Sequence, residues 1–559
     1  MPLIFGYTYN PDGASFSRVH FSKKEAMRIL DGLLWIGILL GALRLSESTD
    51  DCDDAPDESV KSTCRQIEKW DKNTRNITVA PVPSARKSTE RKHTKTVYEC
   101  MDTSCLCNFY GRGLFHQCRF NKVVRKEYRV MSDDERNRYH KALWTIKNNG
   151  RYDQLTQVHS QYTLSPGAHS GPGFLPWHRE FLKRLEFVIR EVDPTVALPY
   201  WDSTLDSSIP DPSKSVLWSD ELMGSQDSDG QMRRGAFKGW YTSDHTRYFK
   251  RNIGAKGQLL IGSVVSNLIN GGTLRDILSF TARSQYCSER AGWGALEYIH
   301  GGPHVYTGGD MEYIPISTND PLFFNHHCMI DLIWEQWRQK HQTERERETS
   351  YPPDNEACSS SAHYGNVQMV PFYPFTNRDG LSNKYTGNLY EYAPRPTCSQ
   401  SKPNGCGSKY LFCDFSHGTP RCASKIMLGG RCDGYNSNEQ QCYGGVCHNG
   451  YCTKKSPEPK PTTPPRVNET CFNENQCCEP WAQRGECRNN PSYMTSKCKA
   501  SCGICTPTTY SLSNSFGKCV NLYRDCRAMF LRGDCENNVD WMKTNCRQAC
   551  NLCNIQSRC

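Results

Sequence analysis

Apart from one apolar run, the chain has no stretch that could cross a bilayer, and that run is itself short. It covers residues 29–45, follows Lys23, Lys24 and Arg28, is interrupted by Asp31, and has its core at residues 33–43. A core of that length suits the apolar centre of a signal peptide better than a membrane span. Met27 offers a conventional start for such a signal, with cleavage expected after about residues 46–48; the rival reading is a single-span anchor. Also missing is any aromatic stacking motif beside the basic residues. The formal charge is +9, but Lys and Arg are spread out, with mild clusters at residues 86–95 and 119–129. That pattern reads as a solvated basic surface and argues against a nucleic-acid partner. Finally, no cysteine falls between Cys118 and Cys287. This middle region must bury a core without covalent staples, and it is long enough to do so.

Elsewhere cysteine is abundant. The chain carries 31, an odd count, so at least one thiol is free or paired with another chain. Such a number fits an oxidising, extracellular compartment. The sequons Asn76-Ile-Thr and Asn468-Glu-Thr agree with a secreted glycoprotein. At 559 residues, two to four domains are expected.

Composition divides the chain as follows. Residues 1–46 are a signal or anchor, and the polar, aperiodic residues 47–97 read as a flexible leader. Residues 98–396 hold the helical patterns. Residues 397–453 form a small module with eight cysteines, and 454–468 is a stiff linker with five prolines. Residues 469–505 and 518–553 are an internal repeat, each ending in Cys-x3-Cys-x2-Cys.

Within 98–396, Ser132-Asp-Asp-Glu135 is a capping box and Gly150 stops the helix it opens. Apolar residues recur at helical spacing from Trp177 to Glu191 and from Leu322 to Gln339. Two histidine-rich stretches sit at these helices. The first is His169-Ser-Gly-Pro-Gly-Phe-Leu-Pro-Trp-His178-Arg179, followed by Leu182 and Glu186. The second is His300-Gly-Gly-Pro-His304, followed by Asp320-Pro-Leu-Phe-Phe-Asn-His326-His327 and Asp331. The first half needs a third imidazole, for which His159 is the best candidate and His140 the alternative. Pro303 is poorly tolerated inside a helix, so His300 is expected to end one helix and His304 to follow a turn. All-imidazole trios suit copper, zinc, iron or nickel. Zinc pairs usually add bridging carboxylates, which these motifs lack, and that favours copper. Arg179, Glu186 and Asp331 are candidates for supporting groups that orient the ligands.

These motifs make residues of about 98–396 resemble the tyrosinase family of type 3 copper proteins, which also contains catechol oxidases and molluscan haemocyanins. His169 to Glu186 is similar to the family's copper A signature, and Asp320 to Asp331 to its copper B signature. The resemblance implies a mainly α fold, a helical-bundle dicopper catalytic domain followed by small disulfide-rich modules. It implies His159, His169 and His178 at one copper ion and His300, His304 and His327 at a second, with His326 a neighbour. Tyr390-Glu-Tyr392 resembles the Tyr-x-Tyr motif that closes the family's core. The implied reaction uses O2 to oxidise catechols to o-quinones or to hydroxylate monophenols such as tyrosine. Many monophenol-hydroxylating members carry Asn after the first copper B histidine; here Gly301 stands there, and Val305 follows His304. Catechol oxidation is therefore the firmer expectation.

The two terminal repeats resemble the ShKT family, the second more loosely. The resemblance implies the pairs Cys471–Cys505, Cys478–Cys498 and Cys487–Cys502, then Cys519–Cys553, Cys526–Cys546 and Cys535–Cys550. Cys477 and Cys559 are left over and can pair. Toxin members block potassium channels through a Lys-aromatic pair, but Ser492-Tyr493 and Asp540-Trp541 stand in those places. Without the Lys, matrix attachment or substrate presentation is the better expectation than channel block. The whole combination is similar to secreted nematode tyrosinases. It points to pigment formation or to cuticle or matrix cross-linking, acting on small phenols or on tyrosine residues of matrix proteins. An O2 carrier of the haemocyanin type and a non-catalytic matrix protein are the alternatives. A membrane partner follows only if the N-terminal segment stays uncleaved.

Overall fold

The computed structural model describes residues 51–81, 96–110, 118–436, 439–454, 473–475, 477–505, 521 and 526–553. The apolar run at 29–45 and the sequon at Asn468 lie outside them. Among the described residues no helix is long and apolar enough to cross a membrane. The chain divides into two compact units, with the division after residue 455.

The first unit is built on helices α1 (Glu58–Thr74), α2 (Asp133–Asn148), α3 (Arg151–Ser160), α4 (Phe174–Val192), α5 (Leu296–Thr307) and α6 (Leu322–His341). Local chemistry sets the ends of several of them. Ser132 and Glu135 close the expected capping box on α2, and Gly150 takes φ 78° between α2 and α3, a left-handed turn that glycine adopts at little cost. Asp320 starts α6: its carboxylate accepts from the Leu322 N–H and pairs with both arms of buried Arg251. Packing then selects the arrangement. Tyr139, Leu143 and Ile146 of α2, Phe181, Leu185 and Val188 of α4, and Phe324, Ile330 and Trp334 of α6 share one core. Each such side chain contributes about 1.5–3 kcal/mol by leaving water.

Buried charges tie the helices further. Arg179 Nε lies 2.6 Å from Asp331 Oδ1 and Arg179 Nη2 lies 3.0 Å from Glu335 Oε2, which joins α4 to α6. Asp331 also accepts from the hydroxyls of Tyr390 and Tyr392 at 2.8 and 2.7 Å. Those tyrosines lie on β2 (Tyr390–Tyr392), which pairs in parallel with β1 (Val123–Arg125). Arg125 of β1 grips both oxygens of Glu186 at 3.0 Å. The three supporting residues picked out in the sequence thus belong to one buried network, and Tyr-x-Tyr is its lid.

Two expectations need correction. First, His300 and His304 share one continuous helix, α5, with Pro303 inside it. A proline there costs about 3 kcal/mol, but nearly every residue of α5 is buried, and tertiary packing overrides the local preference. Second, the leader read as flexible contains α1. Asp57 caps it by accepting from the Ser59 and Val60 N–H groups, and a Cys52–Cys64 disulfide closes its start. Val60, Cys64, Ile67 and Trp70 form its buried stripe, which lysine, glutamate and arginine in between had diluted.

Residues 398–452 form a satellite with the disulfides Cys398–Cys413, Cys406–Cys422, Cys432–Cys447 and Cys442–Cys452. It carries two hairpins, β3 (Leu411–Asp414) with β4 (Arg421–Ser424) and β5 (Val446–His448) with β6 (Tyr451–Thr453). In the second unit, helices Cys478–Gln483, Glu486–Asn489 and Pro491–Lys497 recur as Cys526–Leu531, Asp534–Asn537 and Val539–Asn545. The bridges Cys478–Cys498, Cys487–Cys502, Cys526–Cys546 and Cys535–Cys550 are as the resemblance implied. The expected pairs involving Cys471, Cys519 and Cys559 lie outside the described residues.

Replacing Arg179 by Met strands two buried carboxylates. It should lower the unfolding free energy by about 3–5 kcal/mol, read from the denaturant midpoint. Burial pushes the Asp331 carboxyl upward, but Arg179 and Arg125 more than offset this and hold it below its ordinary value. Its contribution is therefore complete above the ordinary aspartate value of about 3.9 and is lost as the pH falls through the folded value. Asp331→Asn should flatten the acid limb of stability against pH.

Candidate metal centre

Six imidazoles converge inside the first unit, in two trios. His159 comes from the last turn of α3, His169 from the loop before α4, and His178 from the first turns of α4; His300 and His304 come from α5 and His327 from α6. In each trio the ring nitrogens lie within 4.8 Å of one another. His159 Nε2 is 3.0 Å from His169 Nε2, and His304 Nε2 is 3.2 Å from His327 Nε2. Two nitrogens each about 2.0–2.1 Å from a shared ion have this spacing. The trios face one another: the His178 and His327 rings stack with centroids 4.3 Å apart.

The donor set passes a stricter test. His178, His300 and His304 each turn Nδ1 to a backbone carbonyl, that of Phe174 at 2.8 Å, Glu297, and Met311 at 2.8 Å. This fixes the tautomer and leaves Nε2 as a lone-pair donor. His178 Nε2 is buried with no partner in the protein. None of the six residues is more than 8% exposed. Burial, reinforced by the neighbouring imidazoles, holds His159, His169, His300 and His327 far below the ordinary histidine value. Burial brings His178 to about 3 and His304 to about 4. All six are thus neutral, the form that binds a metal.

His326 turns Nε2 to the His300 carbonyl at 2.9 Å and is a brace. His140 sits 2.9 Å from the Tyr128 hydroxyl, away from both trios. Cys328 is a buried free thiol that burial pushes up to about 12, so it is not a thiolate.

Three residues at the site escaped the sequence reading. Glu297, one turn before His300, lies 3.7 Å from His169 Nδ1, and burial raises its carboxyl to about 8 against hydrogen bonds from Thr281 and the Ser170 N–H. His363 supports the His169 loop by accepting from the Gly173 N–H at 3.3 Å; a Cβ on Gly171 would stand 2.8 Å from its ring. Phe323, part of the apolar helical pattern from Leu322 to Gln339, stacks on His327 at 4.1 Å. The i, i+3 spacing of Glu297 and His300 and the i, i+4 spacing of Phe323 and His327 were visible; the His363 contact is long-range and left no local signal.

Gly301 is required by packing. A Cβ there would stand 1.9 Å from Thr63 Oγ1 on α1. Gly301→Ala should cost about 1–3 kcal/mol by overpacking, and adding Thr63→Gly should recover most of it in the same unfolding assay.

With this geometry in view, the chain's similarities can be placed. Residues 149–340 match the common central domain of tyrosinase. Residues 470–505 and 518–553 match the ShK domain-like family. The tyrosinase-like protein tyr-3 of Caenorhabditis elegans is 44% identical over 492 residues, covering 82% of this chain and 70% of that protein. Grixazone synthase of Streptomyces griseus is 34% identical over 265 residues, 39% of this chain and 85% of that enzyme. A solved polyphenol oxidase variant from Thermothelomyces thermophila superposes with a TM-score of 0.38 at 20% identity, covering 60% of this chain and 98% of that one. Matched along most of its length by a tyrosinase-like relative and built around two facing imidazole trios that fit two copper ions, the chain belongs to the tyrosinase family of type 3 dicopper proteins, with two ShK-like repeats at its C-terminal end.

Proposed function

We propose that the protein is a secreted copper oxidase that uses O2 to convert catechols to o-quinones. His159, His169 and His178 hold one copper ion and His300, His304 and His327 the other. The observation that carries this reading is the pair of buried, neutral trios set face to face, with His178 against His327. Bound copper supplies the redox steps between substrate and O2. In balance, two catechols give up four electrons and four protons, and one O2 becomes two waters.

The chain's own residues hold and orient. Carbonyls of Phe174, Glu297 and Met311 fix three rings through Nδ1. Phe174, packed on His178 and His300, and Phe323, packed on His327, make the walls apolar and exclude water. Arg179 and Asp331 fix the spacing between the helices that carry His178 and His327. Gly301 offers no side chain beside His300, which supports catechol oxidation over tyrosine hydroxylation. The many disulfides and the ShK-like repeats support an extracellular setting, and matrix attachment through the repeats would bring quinones to tyrosine-rich structural proteins.

The test is O2 uptake by the copper-loaded full chain with a catechol and then with tyrosine. Uptake with the catechol at two substrates per O2 is expected, and far slower uptake with tyrosine. Reversible O2 binding without turnover would make the protein a carrier instead; no O2 binding would sink both. His327→Ala should reduce bound copper from two ions to about one per chain and cut catechol turnover by at least about a hundredfold, the upper range for losing even an outer-shell partner of a metal ligand.

A further inference from the structure

The cysteine-rich module at 398–452 contributes no ligand to the metal centre, yet it encloses a cavity of about 350 Å³. Every residue lining that cavity belongs to the module. Pockets that hold small molecules start at about 300 Å³. Covalent links hold the space in shape. Cys413 on β3 is bridged to Cys398, and Cys406, on the loop before β3, to Cys422 on β4. Cys406 and Cys413 both line the cavity. Walls fixed in this way need little further ordering when a ligand arrives.

Two opposite charges on these walls lack partners. Glu439 is only 6% exposed. Its Oε1 is fully used: it accepts from the Ser416 hydroxyl at 2.7 Å and from the Phe415 N–H and the Asn436 amide at 3.2 Å each. Its Oε2 is buried with no hydrogen-bond partner, and no other residue lining the cavity has such an orphaned atom. An amide carbonyl would serve the three donors on Oε1 equally well. What a carboxylate adds is a second oxygen and a negative charge, and a buried acceptor left without a donor is costly. Lys425, directly after β4, is the cation of the cavity. Burial alone acts on its ammonium, lowering its value, and no neighbouring acid offsets this. The two charges do not pair with each other. The rest of the wall includes Leu411, Phe412 and the half-buried Phe415.

A simple anion on Lys425 would leave Glu439 Oε2 without a donor. A simple cation on Glu439 would leave Lys425 without an acceptor. One molecule with both charges satisfies the two together. The last torsion of a glutamate side chain is soft, so a small turn brings Oε2 to the cavity surface. We propose that this cavity binds a free α-amino acid with an aromatic side chain, its carboxylate on Lys425, its ammonium on Glu439 Oε2 and its ring against Leu411 and Phe415. The site is distinct from the copper centre and stands whether or not that centre turns over.

The experiment titrates the copper-loaded full chain with L-phenylalanine, which has no phenol to oxidise, and reads the heat of binding. The expected result is saturable binding. It should weaken about tenfold or more in Glu439→Gln and in Lys425→Met, since a hydrogen bond to a charged group carries that much affinity. It should weaken as much when the probe is 2-phenylethylamine or 3-phenylpropanoate, each of which lacks one charge. Glu439→Gln keeps the acceptor for the three Oε1 donors, and Lys425→Met keeps the apolar stem, so both should retain the wild-type circular dichroism and copper content. No saturable heat with the wild-type chain would overturn the site. Unchanged binding in either folded variant would place the probe elsewhere and also overturn it. Equal affinity for either singly charged probe would overturn the zwitterion, and equal affinity for L-alanine would overturn the aromatic side chain. Should one variant misfold, the other variant and the three probes still decide the outcome.

Discussion

One contact sets the rest of the molecule: the buried pair between Arg179 and Asp331. Arg179 follows His178 directly, and Asp331 lies one helical turn beyond His327. The pair thus fixes the gap between the two helices that bring the halves of the site together. A charge pair in so dry a place is costly unless every arm is satisfied. Here Glu335 takes a second arm of Arg179 and Tyr390 and Tyr392 donate to Asp331, while Arg179 Nη1 is buried without a partner. Trp334 lies flat against the guanidinium at 3.9 Å. The strand pair of β1 and β2, trivial as a sheet, matters because it delivers Tyr390, Tyr392 and Arg125 to that spot.

Around this tie, the site follows a division of labour. Helices supply the rings whose positions must not drift, His178, His300, His304 and His327. Loops and helix ends supply those that complete the trios, His159 and His169. The loop carrying His169 is correspondingly braced: Ser170 adopts φ 79°, its N–H donates to Glu297, and its carbonyl accepts from Ala282. A non-glycine residue in that region of backbone space is held there by its surroundings.

What the sequence revealed and what it hid divide along the same line. His169, His178 and His327 stood in long motifs because helix start, ring position and supporting charge are all local in the chain. The capping box at Ser132 and the periodicity of α4 and α6 were legible for the same reason. Local reasoning misplaced α5, since Pro303 argues against a helix that only burial on every side can enforce. It misread α1, whose stripe of Val60, Cys64, Ile67 and Trp70 is thin until α5 is there to receive it. Phe323 looked like core packing because its partner, an imidazole four residues on, is recognised as a site residue only once the metal trio is assembled. His363 supports a loop almost two hundred residues away in sequence, and no pattern in the chain announces such a contact.

The cysteine-free stretch from 119 to 286 has a consequence for how the protein is made. It contains the whole first trio, and it offers nothing to an oxidising enzyme. No disulfide has to form within it before it can collapse. The one unpaired thiol near the site, Cys328, is sealed in the interior, beyond the reach of exchange. Quality control of the disulfide-rich modules and assembly of the first half of the metal site are therefore chemically separate events within one polypeptide.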